Sequence, residues 1–151
     1  MYIYLPAFEK ERRIASHVKN QNFAGTDFNY ANMEALPYSE KYIPRLIKTT
    51  TDAYILELIP IKPKSSDYSK LYLYVQKQHY YGIKTIYFNK SGQKYKELVS
   101  KFVKRGKYWV AITAEMTNIL KNHSTKMTIT HIVFDQGLKD EEFSIRNLKK
   151  I

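Results

Sequence analysis

The chain has 151 residues, 44% apolar and 15% aromatic, which is enough for one domain with one sizeable core and too much for a disordered chain. Its 25 Lys+Arg against 14 Asp+Glu give a net charge of +11, which favours anionic partners: nucleic acid, anionic lipid head groups or an acidic protein. The absence of cysteine excludes disulfides and thiolate metal sites, and no apolar run is long enough to span a membrane as a helix.

The first segment, "MYIYLPAFEKERR", has a short apolar start followed by charge, the reverse of a signal peptide. Tyr2 to Leu5 and Arg12 to Ser16 read as a first pair of strands. A short helix is expected over Asn29 to Leu36. Asn29 is the N-cap, Phe28 staples onto Met33, and Pro37 stops the helix. Lys41 to Thr50 and Ala53 to Ile61 form a second strand pair about Thr51-Asp52. "PIKPKSSD", Pro60 to Asp67, is a loop. In "KLYLYVQK", Leu71, Leu73 and Val75 face one way and Tyr72, Tyr74 and Gln76 the other. Gly82 precedes the strand "IKTIYF", and Asn89 to Gly92 is a hairpin turn.

"QKYKELVSKFVKR", residues 93–105, is ambiguous. Tyr95, Leu98, Val99, Phe102 and Val103 fall at helical spacing, whereas the flanking turns favour a strand. After Gly106, Tyr108, Val110, Ile112, Ala114 and Met116 share one face of a strand. "TKMTITHIVFD" reads as a last long strand. Its apolar phase slips near His131, which predicts a bulge or burial of both faces.

Catalytic and metal signatures are missing. His17, His79, His123 and His131 lack metal-ligand spacing, no nucleophile elbow occurs, and the glycines stand alone rather than in a phosphate loop. Glu57 and Glu115 are expected to be solvated. No enzyme, cofactor or metal is indicated. Between Lys90 and Lys107 stand seven Lys/Arg and one acid, Glu97, with Tyr95, Phe102 and Tyr108 interleaved. This is compatible with a single-stranded nucleic-acid platform. A sheet that is apolar inside and Lys-rich outside produces the same letters, and no RNP-like motif accompanies them.

Two blocks carry a resemblance: "YLPAFEKERRIASHVKNQNFAGTDFNYANM" (residues 4–33) and "GKYWVAITAEMTNILKNHSTKMTITHIVFDQGLKDEEFSIRNLKK" (residues 106–150). Tyr4 to Pro6, Arg12 to Ile14, Gly25 to Tyr30, Tyr108 to Val110, Met116 to Asn118, Gly137-Leu138, Phe143 and Arg146 to Leu148 match the pattern. On these the chain resembles the bacterial outer-membrane lipoprotein-sorting proteins, the LolA-like family, with Ala111 where that family usually has proline. The resemblance implies a mainly β fold: a curved antiparallel sheet forming a half-open, incomplete β-barrel with a short helix. It makes residues 93–105 a strand. It implies one LolA-like domain over 1–151, the C-terminal portion of a longer precursor whose N-terminal region is lacking here. It also implies a non-enzymatic periplasmic carrier for a lipid or lipidated protein.

On that basis Leu56, Leu58, Leu71, Leu73, Val75, Ile112, Met116 and Ile129 are the expected acyl-chain face. Arg12, Arg13, Lys94, Lys96, Lys101, Lys104 and Arg105 would dock on an anionic surface. Components of inner- or outer-membrane transport are the implied partners, and self-association through an exposed sheet edge on the Tyr2 to Leu5 side is a further expectation. The alternatives are a basic module for a polyanion, with nucleic acid not favoured over a membrane surface, or a lipid-free partner of an export or efflux complex.

Overall fold

The computed structural model describes residues 1–34 and 36–148. Strands β1 (Tyr2–Leu5) and β2 (Lys10–Arg13) pair antiparallel in a small sheet of their own, joined by a 3-10 turn at Pro6–Phe8. The second strand thus lies earlier than expected, because the backbone at Ser16–Val18 turns into another 3-10 element. A seven-stranded antiparallel meander follows: β3 (Tyr42–Thr49), β4 (Ala53–Pro60), β5 (Lys70–Gln76), β6 (Gly82–Phe88), β7 (Lys94–Arg105), β8 (Tyr108–Asn118) and β9 (His123–Thr128). Its edges are β3 and β9, so the sheet does not close. The fold is mainly β, as expected.

Four register shifts interrupt the ladders, each leaving one residue (Ile47, Ile83, Tyr95 and Ile112) unpaired in the ladder concerned. Such bulges bend a strand and increase its twist, which is how an open sheet acquires a concave face. They also explain the ambiguity of residues 93–105, which form a strand. Tyr95 is an inserted residue and packs against the core beside Leu98, while Val99 pairs with Lys84 and Glu115 and is 43% exposed. The helical spacing is therefore one bulge, at Tyr95, combined with apolar residues on both faces of the strand: Leu98 and Phe102 on one, Val99 and Val103 on the other.

Two rows of cross-strand partners run across the concave face. One is Leu46, Leu56, Leu73, Thr85, Leu98, Met116 and Thr125. The other is Leu58, Leu71, Tyr87, Lys96, Asn118 and His123. The first row stays largely apolar as far as Met116 on β8, whereas the second turns polar at Lys96, Asn118 and His123 on β7 to β9. The core gathers on the apolar half, where Phe28, Leu58, Tyr68, Leu71, Leu73, Tyr87 and Met116 form the buried cluster.

Three further expectations change. The helix at Asn29 shrinks to one 3-10 turn, Tyr30–Asn32, although Asn29 does cap it. Asn29 Oδ1 accepts from the Asn32 N–H at 2.9 Å, and Asn32 Oδ1 accepts from the Asn29 N–H at 2.8 Å. A one-turn helix α1 (Tyr38–Lys41) follows Pro37, leading directly into β3. The last strand ends at Thr128, so the phase slip at His131 falls in irregular chain. Another one-turn helix, α2 (Ile145–Leu148), lies near the end of the described residues.

Candidate functional site

The segment between Ile14 and α1 lies across the concave face, and its two adjoining residues Asp27 and Phe28 meet the two halves of that face. Phe28, 2% exposed, enters the apolar cluster. The Asp27 carboxylate accepts a hydrogen bond from Thr125 Oγ1 at 2.8 Å and contacts His123 Nδ1 at 2.7 Å, both on β9. The Asp27 N–H donates to Thr125 Oγ1 at 3.1 Å, and Lys96 Nζ on β7 donates to the Asp27 carbonyl at 2.7 Å. Asn29 Nδ2 donates to the Tyr68 hydroxyl at 3.2 Å. "GTDFNY" is therefore a clasp that fastens the covering segment at both ends of the face.

Beneath the clasp lies a cavity of about 680 Å³, within the roughly 300–1,000 Å³ usual for small-molecule sites. Leu71, Tyr87, Leu98, Ala114 and Met127 of the sheet and Phe28, Met33, Tyr42 and Tyr68 outside the central strands line its apolar part. Burial, aided by the neighbouring Tyr38, pushes the Tyr42 phenol up to about 12, and burial raises Tyr68 and Tyr87 as well. The tyrosines therefore stay neutral and the lining carries no charge of theirs.

Lys19, Lys41, Glu34, Lys62 and Asp67 stand at the polar side of the cavity. Burial opposes the charge of Glu34, yet the Lys19 and Lys41 ammoniums outweigh it and hold the carboxyl below its ordinary value. Burial raises Asp67 despite Lys90 and Lys96. An apolar bowl with a charged rim suits an amphiphile, because each methylene left in water costs about 0.8 kcal/mol.

The eight residues expected to face an acyl chain divide into three groups. Leu71 lines the cavity. Leu58, Leu73 and Met116 are fully or nearly buried in the core cluster on the same face, with Leu56 and Val75 packed against them. Ile112 and Ile129 belong instead to a separate groove of about 620 Å³, lined also by Tyr108, Ile132, Phe134 and Arg105. Alternation along strands identified the face but could not tell lining from core. Ala114 and Met127 share the parity of Met116 and Ile129 and were within reach of the same argument. The contributions of Met33, Tyr42 and Tyr68 depend on tertiary placement.

The cations divide as well. Lys96 is 2% exposed, so it is no docking residue: burial pushes its ammonium below the ordinary lysine value, against the pull of Asp27 and Asp67. Lys94 is exposed but paired with Glu97 at 2.7 Å. Arg12 and Arg13 are exposed on β2, in the small sheet, whereas Lys101, Lys104 and Arg105 are exposed on β7. Glu57, expected in solvent, is 7% exposed and clamped by Arg45 at 2.7 Å and Lys70 at 3.2 Å. Among the described residues no three His, Cys, Asp or Glu side chains are grouped to hold a metal ion, and no helix is long and apolar enough to cross a membrane.

Solved structures share this open antiparallel sheet fold. A structure from Vibrio parahaemolyticus described as an outer membrane lipoprotein-sorting protein domain is 31% identical, with a TM-score of 0.91 over 98% of this chain. A DUF1329 family protein from Desulfovibrio piger is 25% identical, with a TM-score of 0.86 over 97% of this chain. A LolA superfamily protein from Nitrosomonas europaea, 18% identical with a TM-score of 0.66 over 97% of this chain, shares the fold. The chain spans 65%, 63% and 66% of those three proteins, just under two thirds of each. No curated protein matches it. A family model described as "Uncharacterized protein" matches residues 1–150, and the chain belongs to that family.

Proposed function

We propose that this protein is a non-enzymatic periplasmic carrier or binding protein for a lipid or lipidated protein, holding acyl chains in the cavity beneath the clasp. The observation that carries this reading is the cavity: apolar lining from sheet and covering segment, with lysines at its rim. The likeness to a lipoprotein-sorting domain supports it. Chemistry is not needed for such a role. Release rests on a receptor or membrane with greater affinity for the lipid, so components of inner- or outer-membrane transport are the partners of this proposal.

A fluorescent fatty acid tests it. The protein binds the probe saturably, and Met127→Glu weakens binding by at least about tenfold, because a carboxylate in the lining must be desolvated against the chain. Met127 is 37% exposed, so its replacement leaves the melting temperature nearly unchanged. Absent binding, or equal binding by the variant, refutes the assignment of the cavity.

Self-association through an exposed sheet edge, on the Tyr2 to Leu5 side, belongs to the same proposal; β3, one of the two edges of the large sheet, offers a second such edge, with Ile43 and Leu46 60% and 56% exposed. Light scattering that finds a monomer at all concentrations removes it.

A further inference from the structure

The hairpin joining β7 and β8 ends in Lys104-Arg105-Gly106-Lys107, and all three cations are exposed. Immediately behind it, Lys104 stands opposite Trp109 and Phe102 opposite Ala111, which places Phe102, Lys104 and Trp109 on one face. The turn between β5 and β6 brings two more rings against them. His79 stacks on Trp109 at 4.5 Å between centroids, and Tyr81 stacks on Phe102 at 4.0 Å and lies 5.6 Å from Trp109. The same turn holds Lys77 and an exposed Tyr80, which stacks on Tyr54 and adopts a left-handed backbone with φ of 56°. Trp109 remains 39% exposed. The acid that meets the hairpin is Asp135, 3.3 Å from Lys107.

We propose that this end of the sheet docks the protein on an anionic phospholipid surface, with the rings in the head-group layer and the hairpin cations against lipid phosphates. Trp, Tyr and His present an apolar body and a polar tip, the combination that rests at a membrane–water boundary. Lysine and arginine beside them lay apolar stems along the same layer while their charges stay at the phosphates. The net charge of +11 adds long-range attraction. Mutual stacking takes up a face of each ring, the feature a nucleobase would need, so the patch suits lipid better than single-stranded nucleic acid. Of the seven cations expected on a docking surface, the structure selects Lys104 and Arg105 and adds Lys107, Lys77 and the aromatic group. The proposal is independent of the acyl-chain cavity, whose lining shares none of these residues.

Trp109 is the single tryptophan, so its emission reports on this patch directly. The full chain is mixed with vesicles of phosphatidylcholine alone and of phosphatidylcholine with phosphatidylglycerol, and followed by emission and co-sedimentation. With the mixed vesicles, Trp109 emission shifts to the blue and the protein sediments, less so at high salt. Lys104→Gln with Arg105→Gln, at exposed hairpin positions, lowers partitioning about 25-fold, from about fivefold per cation near an anionic surface. A thermal melt confirms that this variant is folded. Equal signals with both vesicle types overturn docking while leaving acyl-chain uptake by the cavity standing. No sedimentation with mixed vesicles, sedimentation without any Trp109 shift, or unaltered partitioning by the folded double variant also overturns it.

Discussion

Replacing Asp27 by alanine removes the acid that fastens the covering segment to the polar half of the sheet. The side chain is 4% exposed, and its carboxylate takes a hydrogen bond from Thr125 Oγ1 at 2.8 Å and contacts His123 Nδ1 at 2.7 Å. A hydrogen bond to a buried charged group contributes about 1.5–3 kcal/mol, and the contact to His123, itself 63% exposed, adds about 0–1 kcal/mol. The loss is therefore about 1.5–4 kcal/mol, or a fall of about 5–12 °C in melting temperature for a chain of this size. Circular dichroism during heating measures it. Asp27→Asn retains an acceptor for Thr125 and falls less. The same substitution also loosens the roof of the cavity, so fatty-acid probe binding weakens along with stability. Melting of Asp27→Ala within about 1 °C of the parent refutes the clasp, because a buried carboxylate with two partners cannot be removed without a measurable cost.

Three other outcomes follow from the same structure. Tyr42, Tyr68 and Tyr87 are held neutral by burial, with Tyr42 at about 12, so above pH 10 the unfolded chain loses protons that the folded chain keeps. Stability then falls as pH rises, by up to about 1.4 kcal/mol per pH unit for each tyrosine, and denaturant titrations between pH 9 and pH 11 read the slope. On the acid side, burial opposes the charges of Glu34, Glu57 and Glu97, but two cations at each outweigh it and lower the carboxyl. The unfolded chain binds those protons first, so stability present above the ordinary glutamate value is lost as pH falls through the lowered ones, as a melt series in acid shows. At Gly82 an added Cβ meets Leu73 Cδ1 at 2.9 Å, and Leu73 is buried. Gly82→Ala therefore costs about 1–3 kcal/mol, and an unchanged melting temperature contradicts the packing there.

Most strands were legible because half-buried strands alternate. The β5 sequence "KLYLYVQ" carries that period, the β4 sequence "AYILELIP" is apolar almost throughout, and turn residues mark their ends. Bulges hid the rest. Tyr95 adds one residue to β7, which then reads as a helix on paper, and Ile112 adds one to β8 and breaks its alternation. The strand after His123 looked longer than it is because the apolar letters of residues 129–134 face a groove and solvent rather than a sheet partner. At the site, Leu71 was found by parity, but the clasp was not. Asp27 lies 96 residues from His123 and 98 from Thr125, and nothing local marks those polar letters as partners. Lys96 misled for the same reason. Its place in a basic run suggests surface, whereas its register opposite Tyr87 and Asn118 puts it on the concave face.

The central claim is that the cavity holds an acyl chain by burying apolar surface. Calorimetric titration of a long-chain fatty acid into the purified protein, at low and high salt and at several temperatures, tests it most directly. The account predicts saturable binding with a negative heat-capacity change and an affinity that survives high salt. No saturable binding, or binding whose affinity collapses as salt rises, would mark the charged surface rather than the cavity as the binding element and contradict the account.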